Sequence, residues 1–208
     1  MSLADKISAI NRARKWELFL EHMKPDAQTT ILDVGFNAVE YSDVDNYLEK
    51  NYPYPENITA LGMDSPLDFQ KRYPKVRAVQ YDGRVFPFPD QSFDVCWSNA
   101  VIEHVGDATR QLQFLKEIIR VAKRAFITTP NRMFPIEVHT RIPLLHWLPK
   151  PVFDSLLRKT SKYWAADDYM HLLTHAQLTR LLRDAGAREP QIFRNRLGGF
   201  TLDFVAAF

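Results

Sequence analysis

Cysteine is almost absent from this chain: Cys96 is the single one in 208 residues. One cysteine cannot form an intramolecular disulfide, so the fold needs no oxidising compartment, and the cytoplasm is the expected location. Cys96 sits in an apolar run and reads as an inert buried thiol. Long apolar runs are missing too. None approaches the roughly 20 residues that span a bilayer, and the opening segment MSLADKISAINRARKW is amphipathic without the apolar stretch of a signal peptide. No stable membrane insertion is expected. Charge of one sign is not in excess either: the formal net charge is +2, with lysine and arginine scattered among aspartate and glutamate. A sequence-independent grip on nucleic acid needs a clustered basic surface, so nucleic acid is not an expected partner. Repeats and low-complexity stretches are absent. What remains is an ordinary globular composition, 46% apolar and 25% charged, in a length that suits one domain over residues 1–208.

The pattern along the chain alternates strand and helix. Asp5 to Met23 carries Trp16, Phe19, Leu20 and Met23 at helical spacing, and Pro25 ends the run. Thr30 to Gly35 (TILDVG) and Ile58 to Asp64 (ITALGMD) are short apolar runs that end in glycine or aspartate, as buried parallel strands do. Ser42 to Asn51 reads as a short helix, with Ser42 and Asp45 spaced as a capping box. Arg77 to Tyr81, Phe93 to Ser98 and Ala125 to Thr129 supply three more strands. Asp107 is a good N-cap for the helix bearing Leu112, Leu115, Ile119 and Ala122. Thr174 with Gln177 forms a second capping box, and Gly186 stops that helix. Two further strands lie near Gln191 to Asn195 and Thr201 to Phe208. Such alternation implies a parallel, doubly wound α/β sheet, whose ligands bind beyond the carboxyl ends of the strands where strand order reverses. Gly35, Asp64, Asp82 and Asn99 all fall at such ends and fit a single ligand-binding rim.

Between Asn131 and Asp168 the rhythm breaks around Pro135, Pro143, Pro149 and Pro151. Residues 131–168 read as an insertion after the fifth strand, of the kind that often forms a lid or binding loop.

The stretch YDGRVFPFPDQSFDVCWSNAVIEHV, from Tyr81 to Val105, is the most informative. Together with ILDVG and GMD it resembles the class I S-adenosylmethionine-dependent methyltransferases, in particular the type 11 methyltransferase domain. The resemblance covers about Thr30 to Thr129. It implies a Rossmann-like, seven-stranded sheet, mostly parallel, with an antiparallel C-terminal hairpin. It also implies S-adenosyl-L-methionine as cofactor and transfer of its methyl group to a small-molecule, sugar or lipid-linked acceptor. By the same resemblance, Asp33, Gly35 and Asn37 belong to the loop around the donor's methionine part. Asp64, with Ser65 beside it, would take the ribose hydroxyls; a carboxylate accepts from both hydroxyls of a diol. Asp82 and Gly83 would meet the adenine, with the prolines and aromatics of Phe86 to Phe93 walling the ring. Asn99 and Ala100 would lie where donor meets acceptor. His104 and His139 are the candidate catalytic bases, since imidazole titrates near neutrality.

The donor loop departs from the family's pattern, since the second and third expected glycines are Asn37 and Val39. Asn tolerates left-handed geometry, whereas β-branched Val does not. The loop is then reshaped, or donor affinity falls; the alternative function is a non-catalytic Rossmann-like domain acting as a scaffold or partner subunit. A nicotinamide-dependent oxidoreductase would share Asp64 but requires an intact GxGxxG turn, which is missing. No metal is expected, because nothing supplies a helix that would align Glu137 with His139. Phe134, Trp147, Phe153, Tyr163 and Trp164 in or beside the insertion read equally as acceptor recognition, as satellite core, or, with Arg141, Lys150, Arg158, Lys159 and Lys162, as an amphipathic surface. Nothing in the chain excludes a homo-oligomer.

Overall fold

The computed structural model describes residues 3–208. Helix α1 (Leu3–Met23) precedes β1 (Ile31–Val34), α2 (Tyr47–Asn51), β2 (Ile58–Gly62), α3 (Leu67–Arg72), β3 (Arg77–Gln80) and β4 (Phe93–Asn99). Then come α4 (Ala108–Val121), β5 (Ala122–Pro130), α5 (Lys150–Leu157), α6 (His175–Ala185), β6 (Gln191–Leu197) and β7 (Phe200–Ala207). The seven strands lie in the order β3-β2-β1-β4-β5-β7-β6. Strands β1, β2, β3 and β4 pair in parallel, with Asp33 opposite both Ala60 and Trp97. The C-terminal strands are antiparallel, as the resemblance implies. Strand order reverses between β1 and β4, which puts the switch point where Gly35 and Asn99 end their strands.

The chain gathers into two compact units: Met1–Asn99 with Glu117–Ile127 and Ala207–Phe208, and Ala100–Lys116 with Thr128–Ala206. In the first, β1 and β2 are buried along their whole length, which is why they read as continuous apolar runs. An aromatic cluster supports them. The Trp97 and Phe126 rings stack at 5.2 Å, and Phe19 of α1 meets Trp97 edge-on at 4.9 Å. Phe19 is fully buried, and such a side chain contributes about 1.5–3 kcal/mol. Cys96 is buried and free, its thiol pushed well up by burial and by the nearby charge of Asp33.

In the second unit, α6 opens with the expected capping box, Thr174 Oγ1 and Gln177 serving each other's backbone N–H, and closes at Gly186 with φ 88°. Asp107 caps α4 by accepting from the N–H groups of Thr109 and Arg110 at 3.0 Å. Segment 131–168 carries its own small core of Phe153, Leu157, Ala165 and Ala166, joined by Met170. Phe153 is therefore satellite core, whereas Trp147, Tyr163 and Trp164 are exposed. The expected helix from Ser42 is shorter. Asn46 takes a left-handed conformation (φ 48°) and the helix starts at Tyr47. Asp45 instead accepts from the N–H groups of Tyr41 and Ser42, closing a turn.

Candidate functional site

The first unit carries four strand ends in a row. After β1, Gly35 has φ 102° and donates its N–H to Leu61 O at 2.8 Å. Neither Asn37 nor Val39 has a positive φ, so the loop asks for no glycine geometry at those positions. It is reshaped and braced by side chains. Asn46 Oδ1 accepts from Asn37 N–H at 2.8 Å, while its Nδ2 donates to Asn37 O and to Glu40. Glu40 also binds Tyr73, Lys50 and Arg72. Burial raises the Glu40 carboxyl, but hydrogen bonds from Tyr73 and Asn46 and the pull of Lys50 leave it lowered overall. Underneath, Phe36 packs on Gly62, where an added Cβ would lie 2.6 Å from the ring. Asp33, expected at the ligand, is buried within β1. Burial first, then the neighbouring carboxylate of Glu49, push its carboxyl well above the usual range, and Glu49 is raised too. Asp33 is therefore enclosed within the sheet and presents no open carboxylate to a ligand.

Asp64 and Ser65 follow β2 and are exposed. Among the described residues, no donor is bound to the Asp64 carboxylate, which leaves both oxygens open to a diol. After β3, Asp82 Oδ1 accepts from Arg84 N–H at 3.0 Å, an Asx turn that leaves Oδ2 available. Gly83 has φ 80°, and a Cβ there would meet Met63 Sδ at 3.1 Å. Met63 and Val85 are 65% and 60% exposed and offer an apolar surface beside these carboxylates. The expected aromatic wall is placed otherwise. Phe86 and Phe93 are buried, against Tyr81 and Phe88 respectively, and plug the core. Their loop is tied down by residues the sequence reading passed over. Glu117 accepts from Phe86 N–H at 2.8 Å and from Arg120, which also donates to Phe86 O, Phe88 O and Asp90. The Arg120 hydrogen bond holds the Glu117 carboxyl below its ordinary value. Asn99 ends β4, half-buried.

In the second unit, Ala100 takes φ 58°, a left-handed geometry unusual for a residue with a Cβ, and donates its N–H to Thr128 O. Glu103 and His104 follow in a short 3-10 turn. Glu103 is wholly buried; its Oε2 accepts from Thr129 Oγ1 at 3.0 Å and its Oε1 has no partner. His104 Nδ1 lies 2.7 Å from Tyr169 O, and its Nε2 lies 3.2 Å from Nε2 of His139. His139 Nδ1 meets Glu137 Oε1 at 2.7 Å, and Glu137 also accepts from the N–H groups of His139 and Thr140. Burial alone would raise Glu137, but the His139 hydrogen bond and charge and these N–H groups hold it down at about 2. Burial pulls His139 down, and the contact and charge of Glu137, helped by Glu103, outweigh that and raise it. The structure thus brings the two histidines together across 35 residues of sequence.

The family model for the methyltransferase domain matches residues 32–125, from β1 to the start of β5. Over that segment the chain resembles the S-adenosylmethionine-dependent methyltransferases. A probable S-adenosylmethionine-dependent methyltransferase of Mycobacterium tuberculosis, found in two strains, is 34% identical over 64 residues, 31% of this chain and 23% of the relative. The match thus spans about a quarter of the curated relatives' length. Among solved structures, a methyltransferase from Aquifex aeolicus aligns with a TM-score of 0.57 at 18% identity, over 93% of this chain and 88% of that one. One from Methanosarcina mazei aligns at 0.60 and 15% identity, over 90% and 95%. These two bear on the fold.

The second unit also holds a cavity of about 560 Å³. Arg132, Lys150 and Arg180 face it together with His146 and apolar side chains such as Phe153 and Leu181. Lys150 is paired with Asp154. Arg132 and Arg180 have no acidic partner among the described residues. His146 donates from Nε2 to Phe134 O, which leaves its buried Nδ1 an acceptor without a partner. Burial lowers the His146 imidazole below its ordinary value. Asn131 ties its loop to Leu202 O and Thr201 O.

Proposed function

We propose that the chain is an enzyme that transfers the methyl group of S-adenosylmethionine to a small acceptor bearing an anionic group. The observation that carries the reading is the row Gly35, Asp64, Asp82 and Asn99 at four successive strand ends, with Asp64 open on both oxygens. The residues fit the donor. The braced backbone of Gly35 to Asn37 would receive its methionine part, Asp64 its ribose hydroxyls, and Asp82 Oδ2 the adenine amine, with Met63 and Val85 flanking the ring. When bound, S-adenosylmethionine supplies a methyl group on a sulfonium, already activated for in-line displacement by a nucleophile. Alignment of the reactants then accounts for much of the acceleration.

The acceptor's negative charge is assigned to Arg132 and Arg180, and its apolar part to Phe153 and Leu181. His104 and His139 are assigned to the acceptor's proton. The brace around Asn37 argues against the scaffold alternative, because the missing glycines cost the loop no backbone strain. The test supplies methyl-labelled S-adenosylmethionine and fractionated acidic and neutral metabolites. Label should enter acidic compounds, and Asp64→Ala and Arg180→Ala should each remove it. Label confined to neutral compounds, or unaffected by Arg180→Ala, would contradict the acceptor assignment.

A further inference from the structure

We propose that Glu103, His104 and His139 form a binding site for one divalent transition-metal ion of the zinc class, with a coordination position left open. One ligand atom from each of the three residues lies within 4.8 Å of the other two; Glu103 Oε1 is 4.0 Å from His104 Nε2, which is 3.2 Å from His139 Nε2. The argument begins with the protons. Tyr169 O is a carbonyl and can only accept, so His104 Nδ1 carries a hydrogen. Glu137 already accepts two backbone N–H groups, so it too is an acceptor, and His139 Nδ1 carries a hydrogen. In the neutral tautomers both Nε2 atoms are then lone pairs. They face each other at 3.2 Å. Two lone pairs repel unless a positive centre lies between them, either a proton or a metal ion.

Three observations favour the metal. A tetrahedral ion bound at about 2.0–2.1 Å holds its nitrogen ligands roughly 3.3–3.4 Å apart, close to the spacing found. A shared proton gives Glu103 Oε1, wholly buried and 4.0 Å from His104 Nε2, only a distant charge and no hydrogen bond. A metal ion gives it a partner. Finally, each ligand already has the outer support that metal ligands use: a carbonyl for His104, a carboxylate for His139 and a hydroxyl for Glu103. Two carboxylates and a divalent ion also leave the cluster electrically neutral. The imidazoles retain 28% and 20% exposure, so a fourth ligand has access from solvent. Two histidines with one carboxylate and an open position are a ligand set for zinc or ferrous iron. The turn between Glu137 and His139 supplies the alignment that the sequence reading sought in a helix. Insofar as the methyl-transfer reading holds, an oxygen ligand in the open position would be acidified there, and the histidines would act on the acceptor through the ion.

The site is tested without donor or acceptor, so its failure is separate from that of the methyl-transfer reading. The intact protein, stripped with a chelator, is titrated with Zn2+ by calorimetry and with Co2+ by visible absorption. The expected result is one ion per chain, with the absorption bands of a low-coordinate Co2+ site. His139→Gln and Glu103→Gln, each checked for folding by circular dichroism, should lose the stoichiometric uptake and the bands. Glu137→Gln, which removes only outer support, should bind one ion about 10- to 100-fold more weakly. His22→Gln, in the other unit, should behave as wild type. Folded wild-type protein that takes up no ion, or uptake unchanged by His139→Gln, would overturn the proposal.

Discussion

Replacing Gly62 by Ala should damage the loop after β1 from beneath. Gly62 ends β2, and its missing side chain is the floor on which Phe36 rests. A Cβ would sit 2.6, 2.8 and 3.1 Å from three ring carbons. Phe36 cannot retreat easily, since it is buried and packs on Phe69 at a centroid distance of 4.5 Å. Inserting one methyl into such a site costs about 1–3 kcal/mol. For a chain of this size that lowers Tm by roughly 2–10 °C. Because Phe36 stands between Gly35 and Asn37, its displacement should also weaken S-adenosylhomocysteine binding by about tenfold, equivalent to about 1.4 kcal/mol. The assay is a thermal melt with calorimetric titration for wild type, Gly62→Ala, Phe36→Leu and the double variant. Phe36→Leu alone should destabilise by leaving a void, yet on the Gly62→Ala background it should recover stability, since a smaller side chain makes room for the methyl. A Gly62→Ala protein within 1 °C of wild type, taking ~1 °C as well below the expected shift, would refute this packing argument. So would strict additivity of the two substitutions.

Further outcomes follow from the same geometry. Glu117→Ala removes the acceptor for Phe86 N–H and a partner of Arg120, and should cost about 2–3 kcal/mol by chemical denaturation while loosening the Phe86 to Phe93 loop to limited proteolysis. Asp94 is held at about 2 by Lys123 and by Thr30, below its ordinary value near 4. A lowered carboxyl contributes stability above its unfolded value and loses it as pH falls, so wild type should exceed Asp94→Asn at neutral pH by about 1 kcal/mol after solvent screening, the gap closing between about pH 4 and 2. Thr174→Ala breaks the α6 capping box and should lower stability by about 1 kcal/mol in the same denaturation assay.

The parts of the molecule that were legible in the sequence are those set by local rules. Strands β1, β2 and β4 announced themselves because strands buried on both faces must be apolar throughout. Their ends were legible because a chain leaving a parallel sheet needs glycine or a polar turn residue, as at Gly35 and Asp64. The Thr174 box was readable for the same local reason. The Ser42 to Asp45 pair carried the same signal and misled, because Asn46 turns left-handed and the Asp45 carboxylate closes a turn before the helix begins. The aromatics Phe86 and Phe93 resembled a ligand wall, but hydrophobic burial drew them into the core and left Met63 and Val85 outside. Illegible altogether were the long-range contacts. Asn46 bracing Asn37, Glu117 gripping Phe86 and His104 meeting His139 each join residues whose separation follows no helix or strand period. Only the folded chain brings them within hydrogen-bonding distance. The same holds for the burial of Glu103, an acidic side chain whose place in the sequence gives no sign that it is enclosed.

The most direct test of the central claim is calorimetric titration of the purified protein with S-adenosylhomocysteine, with NAD and NADP as parallel titrants. The account predicts saturable, micromolar binding of S-adenosylhomocysteine alone. Asp64→Ala, which removes both diol contacts, should weaken it about 10- to 100-fold. Folded protein that gives no heat with S-adenosylhomocysteine, or that binds NAD as well and is indifferent to Asp64→Ala, would contradict it.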